Sequence, residues 1–310
     1  MSDQRLKDIV PFVASVEEGS FTAAAERLHL TGSAVSKSVA RLEARLGSRL
    51  LERTTRRLEV TDAGNAYYQT CIRILEELAE AESVLAAHRT IPSGRLRLAV
   101  PNTYGRLGVM PLLIPFCQQH PEIDLSLTFS DRFVDLFDEG IDVAVRIGQT
   151  VDLPASLGCR QIGREKMVFC AAPDYLQRAG TPQYEAELMQ HRAILYERVD
   201  GSTKPWLFTT ADGHPEWRRV PYRMALGDVD AQVQALCAGL GVGQMPTWLV
   251  HEHVQRGELQ VIMPQCQPHG LALTLVWPRR KQLLPKVDAL LMALGALEIS
   301  PPLAAPALDQ

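Results

Sequence analysis

The sequence holds none of the short motifs that mark the common catalytic folds. No Gly-x-Gly-x-x-Gly, Gly-x-Ser-x-Gly, His-Glu-x-x-His or phosphate-loop lysine occurs in it, so an α/β enzyme stays a weak alternative. Gly239-Leu-Gly-Val-Gly243 is glycine-rich but reads as a helix-to-strand turn. The six cysteines (Cys71, Cys117, Cys159, Cys170, Cys237 and Cys266) include no Cys-x-x-Cys pair, and the eight histidines are dispersed without ligand spacing. Neither a zinc site nor a disulfide framework is expected, nor any cofactor or catalytic residue. No secretory signal, lipidation motif or bilayer-length apolar run appears. A cytoplasmic protein with reduced thiols and no membrane partner is expected. A strong positive balance is missing too: a net charge of −4 excludes a chain that binds nucleic acid over its whole surface.

The 310 residues, 46% hydrophobic and 22% charged, have the composition of a globular protein with room for more than one domain. Their charge is unevenly placed. From Arg27 to Arg57 the basic residues Arg27, Lys37, Arg41, Arg45, Arg49, Arg53, Arg56 and Arg57 meet only Glu43 and Glu52, the footprint of a DNA-reading module. The same stretch reads as a helix-turn-helix. Its first helix turns Phe21, Ala24, Ala25 and Leu28 inward. Its second buries Val35, Val39, Leu42 and Leu46 and presents Ser33, Ser36, Lys37, Arg41 and Arg45, a face suited to phosphates and base edges. Lys37 is placed for a base or its phosphate and Arg41 for a phosphate, although each could be a solvated charge. Ser36 contacts DNA or bonds back to its own helix. Glu43, which a phosphate would repel, is expected in an intradomain ion pair.

An opening helix from Arg5 to Glu18 carries Leu6, Ile9, Val10, Val13 and Val16 on one stripe; Pro11 could kink it, and Gly19 ends it. After the second motif helix, Leu51, Leu58 and Val60 mark two short strands around a basic tip, Arg53 to Arg57. That is a wing, placed to touch backbone or minor groove. Thr61-Asp62 starts a long helix running to about Arg89. Tyr67, Cys71, Ile74, Leu78, Ala81, Leu85 and His88 recur at alternating spacings of four and three, a coiled-coil seam for a homodimer; the alternative is a helix packed on its own domain. Paired half-sites on DNA would suit a dimer.

Pro92-Ser93-Gly94 breaks that helix, and strands then alternate with helices: strand Arg95–Val100, helix Leu107–Gln119, strand Ile123–Phe129, a short helix Phe133–Glu139, strand Ile141–Ile147. A second unit begins near Lys166 with strands Met167–Ala171 and Arg223–Leu226, helix Asp228–Ala238 and strand Gly241–Met245. Strand Leu271–Trp277 and helix Lys286–Leu297 return to the first. The alternation predicts a parallel sheet covered on both faces, arranged as two α/β lobes with a cleft for a small molecule. The expected domains are 1–61 (DNA-binding), 62–92 (linker helix) and 93–299 (effector-binding). The last divides into lobe I, about 93–165 and 267–299, and lobe II, about 166–266. The Pro- and Ala-rich tail 300–310 is expected to be disordered.

Gly19-Ser-Phe-Thr-Ala-Ala-Ala-Glu-Arg-Leu28, Ala34-Val-Ser-Lys37, Arg41-Leu-Glu43, Leu46-Gly47, Leu50-Leu-Glu-Arg-Thr-Thr-Arg-Arg57 and Thr61-Asp-Ala-Gly64 together resemble the LysR-type transcriptional regulators. Glu139-Gly-Ile-Asp-Val-Ala-Val-Arg-Ile-Gly148 and Ala238-Gly-Leu-Gly-Val242 extend the resemblance, which runs from Leu6 to about Leu297. It implies a winged helix-turn-helix, a linker helix and a two-lobed periplasmic-binding-protein-like effector domain, assembled as a dimer of dimers on an operator in double-stranded DNA. RNA polymerase is a further implied partner. Family positions that contact DNA fall on Thr31, Gly32, Ser33, Ser36 and Lys37 and on the wing residues Arg53, Thr54 and Arg56, beside Arg57 of the basic tip. Family members often carry Gln or Pro near Gly32-Ser33. Gly32 offers no side chain, so base reading falls to Ser33 and Lys37.

In the expected cleft, Pro101-Asn102-Thr103-Tyr104 follows the first strand and starts a helix, which suits an anion; these could equally be capping and packing residues. Phe129, Ser130 and Asp131 end the next strand, where sheet folds hold ligands. Arg146 could clamp a carboxylate or pair with Asp131. Trp206, Asp228, Val229 and Met245 line the second lobe's rim. A small organic acid or an aromatic compound is the expected effector, altering DNA binding or bending. A thiol sensor of the same fold is the rival, although buried, inert cysteines fit the local sequence better. A constitutive DNA-bending protein would not need so long a second half.

Overall fold

The computed structural model describes residues 3–53, 58–85, 91–132, 134–148, 153–210 and 212–300. The chain divides into two compact units, residues 1–89 and 90–310.

The first unit is built from α1 (Asp3–Glu18), α2 (Phe21–Arg27), α3 (Gly32–Leu46), β1 (Leu51–Arg53), β2 (Leu58–Val60) and α4 (Asp62–Leu85). Its boundaries follow from local chemistry. The hydroxyl of Ser20 caps α2 and that of Thr31 caps α3, each accepting a backbone N–H of the first turn. Gly47, in the left-handed region at φ 65°, ends α3. Thr61 caps α4 by accepting the Gly64 N–H at 2.9 Å. β1 and β2 pair antiparallel, Leu51 opposite Val60, as a wing.

Ile9, Phe12, Val13, Val39, Leu42, Leu50, Leu51 and Cys71 form one core; Ala24, Ala25, Val35 and Ala14 form a second, where small side chains let helices approach. The stripe expected on α1 is displaced: Val10 is exposed while Phe12 is fully buried. Leu46, expected inward, is exposed at the last turn of α3. Pro11 lies inside an unbroken α1, and the Ser15 hydroxyl donates to the Pro11 carbonyl at 2.6 Å.

The second unit begins with β3 (Gly94–Val100), α5 (Asn102–Tyr104), a π turn (Gly105–Val109), α6 (Met110–Gln119), β4 (Ile123–Phe129) and β5 (Val143–Ile147). It continues through β6 (Leu157–Ala171), α7 (Pro173–Ala179), α8 (Glu185–Leu188), β7 (Ala193–Tyr196), β8 (Trp206–Thr209), β9 (Pro215–Arg218) and β10 (Tyr222–Leu226). Then come α9 (Val229–Cys237), β11 (Gly243–Pro246), α10 (Thr247–Gln255), β12 (Gln260–Ile262), β13 (His269–Pro278) and α11 (Pro285–Leu294).

The main sheet runs β4-β3-β5-β13-β6-β11, with β12 also on β6. It is mixed, not all parallel as expected. β3 is parallel to β4 and β5, whereas β13 is antiparallel to β5 and β6, and β6 antiparallel to β11 and β12. Within this sheet parallel pairing is confined to β3, β4 and β5, joined by the long crossovers that it needs, and β7 and β10 form a separate parallel pair. Lobe I packs α6 and α11 on this sheet through Leu113, Phe116, Val287, Leu290 and Leu294. Lobe II is built around Phe169, Leu195, Trp206 and Phe208 and around Val168, Leu236, Met245 and Val250.

No helix forms at 134–139. Asp135 accepts the N–H groups of Phe137 and Asp138 at 2.8 and 3.0 Å, which holds a single turn instead; Phe133 itself lies outside the described residues. The expected tail beyond Ser300 also lies outside them, as does His88. Among the described residues no helix is long and apolar enough to cross a membrane.

Candidate functional site

Two sites follow from this architecture, one in each unit. In the first, Ser33, Lys37 and Arg45 are exposed on α3, with Ser36 and Gly32 half-buried beside them. The Thr31 hydroxyl that caps the helix also bonds the Ser33 hydroxyl at 3.1 Å, which holds both side chains at the start of α3. Arg41 carries a structural duty that its sequence position did not reveal. Its Nη2 donates to Asp8 at 2.8 Å and to the Ser38 hydroxyl at 2.9 Å. Asp8 is almost wholly buried, so the pair ties α1 to α3.

The expected ion pair of Glu43 is not found among the described residues. One carboxylate oxygen accepts the backbone N–H of Leu50 at 2.8 Å and of Leu51 at 3.0 Å, fixing the start of the wing to α3. Gly64 serves the same junction: a Cβ there would meet the Leu50 carbonyl oxygen at 2.0 Å. Arg53 ends β1; its side chain and the wing residues Thr54, Arg56 and Arg57 lie outside the described residues.

The expected seam on α4 divides. Tyr67 packs its ring 5.8 Å from that of Phe12, and Cys71 is fully buried, so both belong to the core of their own unit rather than to an interface. Ile74 and Leu78, farther along, are each 44% exposed. The side chains of Ala81 and Leu85 lie outside the described residues. The heptad spacing was real, but the first turns of α4 spend it on α1.

In the second unit a cavity of about 400 Å³ opens between the lobes. Of the expected residues, Thr103, Tyr104, Ser130, Arg146, Trp206, Asp228, Val229 and Met245 line it. Asn102 and Phe129 do not: Asn102 gives its backbone and side-chain N–H groups to Asp131 at 2.9 and 2.6 Å, and the Phe129 ring packs over Gly105. Asp131 therefore occupies the helix start once assigned to an anion. The Arg146 guanidinium donates to the Val134 carbonyl, and burial pulls its pKa down against the pull of Asp135 and Glu139. The Tyr104 hydroxyl donates to the Glu298 carbonyl at 3.0 Å.

Several lining residues had no sequence signal. Glu165, on the strand that crosses between lobes, is buried and accepts Trp248 Nε1 at 3.1 Å and the Leu271 N–H at 3.0 Å. Lys204 faces the same cavity; desolvation lowers its pKa, and the Glu165 charge opposes that shift. Gln244 spends its amide on the Leu207 backbone, accepting at 2.7 Å and donating at 2.5 Å. A latch spans the lobes: Asp230 of α9 accepts the Thr103 hydroxyl at 3.1 Å and pairs with Arg106. Tyr104 and Trp248 meet edge to face with centroids 5.2 Å apart. Lys204 lies in a loop and Asp230 on a helix, so only the folded chain brings Lys204 to the cavity and Asp230 to the latch with Thr103 and Arg106.

Four of the six thiols are poorly disposed for redox chemistry. Burial pushes Cys170 up to about 12 and raises Cys71, Cys237 and Cys266 as well, while the reactive form is the thiolate.

Residues 6–65 match the model of the bacterial regulatory helix-turn-helix protein, lysR family, and residues 89–297 match the LysR substrate binding domain. The chain is 32% identical over 293 residues to the HTH-type transcriptional activator AaeR of Escherichia coli, covering 94% of this chain and 93% of that protein. It is 35% identical over 256 residues to the HTH-type transcriptional regulator CrgA of Neisseria meningitidis, covering 82% and 83%. The full-length structure of the Vibrio cholerae virulence activator AphB superposes with a TM-score of 0.57 at 26% identity, covering 93% and 98% of the two chains.

Proposed function

Since the chain belongs to the LysR family of bacterial transcriptional regulators, we propose that it reads an operator through Ser33, Ser36 and Lys37 of α3 and answers to a small organic acid or aromatic compound. The interlobe cavity carries this reading. It joins positive charge from Lys204 and Arg146 to apolar surface from Trp206, Val229 and Met245, and the Asp230 latch crosses between the lobes beside it. A ligand that bridges the lobes has a different affinity for the open and closed arrangements, which is the condition for shifting their populations.

Exposed Ile74 and Leu78 of α4 support self-association into dimers, and the family's dimer of dimers follows from that pairing. Operator DNA and RNA polymerase are the macromolecular partners, and the cytoplasm is where they are met. No enzymatic step is assigned to the cavity.

The test uses the full-length protein and a duplex selected from a randomised pool. Affinity is measured by fluorescence anisotropy across a salt series for the parent and Lys37→Ala. The variant is expected to bind more weakly, with the slope of log K against log salt smaller by about 1. Equal affinity and equal slope would remove α3 as the reading helix.

A further inference from the structure

Among the described residues, a cluster of chemistry-bearing side chains in lobe II belongs neither to the first unit nor to the interlobe cavity. Cys237 is the last residue of α9, His253 lies in the last turn of α10, and Glu258 follows the turn that ends α10. That turn is well determined. Gly257 takes φ 71°, the Gly257 N–H donates to the Val254 carbonyl at 3.1 Å, and the His253 carbonyl accepts the N–H groups of Glu258 and Leu259 at 2.9 and 3.2 Å. Leu259 is anchored in the lobe core, so Glu258 is returned beneath the imidazole of its own helix. His253 Nδ1 then lies 2.5 Å from Glu258 Oε2 and 3.7 Å from Cys237 Sγ, and the three donor atoms all fall within 4.8 Å of one another.

Three electron-pair donors facing one point repel unless a proton or a cation lies among them. The geometry points to a tetrahedral transition-metal site of the zinc class, held by Cys237, His253 and Glu258 with a fourth position open to solvent. Zinc–sulfur and zinc–nitrogen bonds of about 2.3 and 2.0 Å at a tetrahedral angle need a sulfur–nitrogen separation of about 3.6 Å, close to that found. The carboxylate must withdraw by a little under about 1 Å from the imidazole for the same geometry. Glu258 sits on an exposed turn and is free to do so. A thiolate beside an imidazole selects zinc or a similarly soft ion over magnesium or calcium.

Sequence spacing hid this set, because its members are 16 and 5 residues apart and converge only where α9 and α10 share one core of lobe II. An ion there fastens the C-terminal ends of the two helices whose N-terminal residues, Asp228, Val229, Gln232 and Trp248, border the effector cavity. It would thus be a second input to the regulator. The metal site itself stands apart from the effector reading; only its regulatory use rests on it.

The experiment titrates metal-free, full-length protein with cobalt(II), then with zinc(II) as competitor. The expected result is saturation at one equivalent, a thiolate-to-cobalt charge-transfer band with the strong visible bands of tetrahedral cobalt, and loss of both on adding zinc. Cys237→Ser abolishes the charge-transfer band, and His253→Gln weakens binding by more than about tenfold, the least that even outer-shell changes cost. Glu258→Gln, on the exposed turn, weakens binding while leaving the circular dichroism unchanged, and Cys159→Ser, which removes an exposed thiol elsewhere, leaves the band intact. Absence of saturable binding, a band that survives Cys237→Ser, or a band lost with Cys159→Ser would overturn the assignment.

Discussion

Glu43 offers the sharpest test of how the DNA-binding unit holds its wing. One of its oxygens accepts two backbone N–H groups, from Leu50 and Leu51, whose residues are 2% and 6% exposed. Hydrogen bonds to a charged acceptor contribute about 1.5–3 kcal/mol each, and a buried donor left without a partner costs about 1–3 kcal/mol. Because the two bonds share one oxygen, Glu43→Ala is expected to cost about 2–4 kcal/mol. Glu43→Gln keeps a carbonyl oxygen in place and should cost about half as much, since neutral bonds are about half as strong.

The tryptophans make the measurement clean. Trp206, Trp217, Trp248 and Trp277 all lie in the second unit. In urea, tryptophan fluorescence therefore follows the second unit alone, while far-ultraviolet circular dichroism follows both. With a slope near about 1–1.5 kcal/mol per molar urea for a unit of this size, the helical transition of Glu43→Ala should fall by about 1.3–4 M while the fluorescence transition stays. Amide exchange at Leu50 and Leu51 should quicken in step. Coincident circular dichroism transitions for parent and Glu43→Ala would refute the tether.

Gly64→Ala should lower the same helical transition, because its methyl group would collide with the Leu50 carbonyl at 2.0 Å and nothing but backbone can yield. Lys281→Met should act on the fluorescence transition instead. It strips Asp142, 3% exposed, of an ammonium 2.5 Å away, and stranding a buried charge costs about 3–5 kcal/mol. Thr103→Val and Arg146→Met should each diminish the rise in melting temperature produced by carboxylate or aromatic ligands while leaving DNA affinity intact. An undiminished response in both variants would exclude the interlobe cavity as the effector site.

The helix-turn-helix was legible almost residue by residue because its signals are local. Ser20 and Thr31 are capping residues placed just before apolar periodicity, and Gly47 stands where α3 must stop. Errors arose where tertiary partners overrule pattern. Asp8 and Ser15 take buried places on α1 because Arg41 and the Pro11 carbonyl satisfy them, while Val10 and Leu46 are left outside. The strands with apolar runs, β3, β4 and the end of β6, could be read. The first half of β6, Leu157 to Lys166, could not, since Cys159, Arg160, Gln161 and Arg164 give it a polar, exposed texture where it crosses between lobes. The walls of the cavity built from strand ends were visible in outline. Lys204 and Glu165 were not, nor was the Asp230 latch, because no spacing along the chain encodes these meetings.

The threading of the second unit has a consequence for its biogenesis. Lobe II is one unbroken stretch, from the end of β6 to the residues before β13, whereas lobe I is begun by β3, β4 and β5 and finished by β13 and α11. A chain emerging from the ribosome N-terminus first can complete lobe II while lobe I still waits for Leu273, Leu275, Val287 and Leu290 to close its core. The pairing of β13 with β5 closes a loop of more than a hundred residues, but an already compact insert brings the ends of that loop near each other and so lessens its entropy cost. Synthesis halted before His269 leaves half of the lobe I core open to water, an aggregation-prone surface that Leu273 to Ile299 cover in the finished chain.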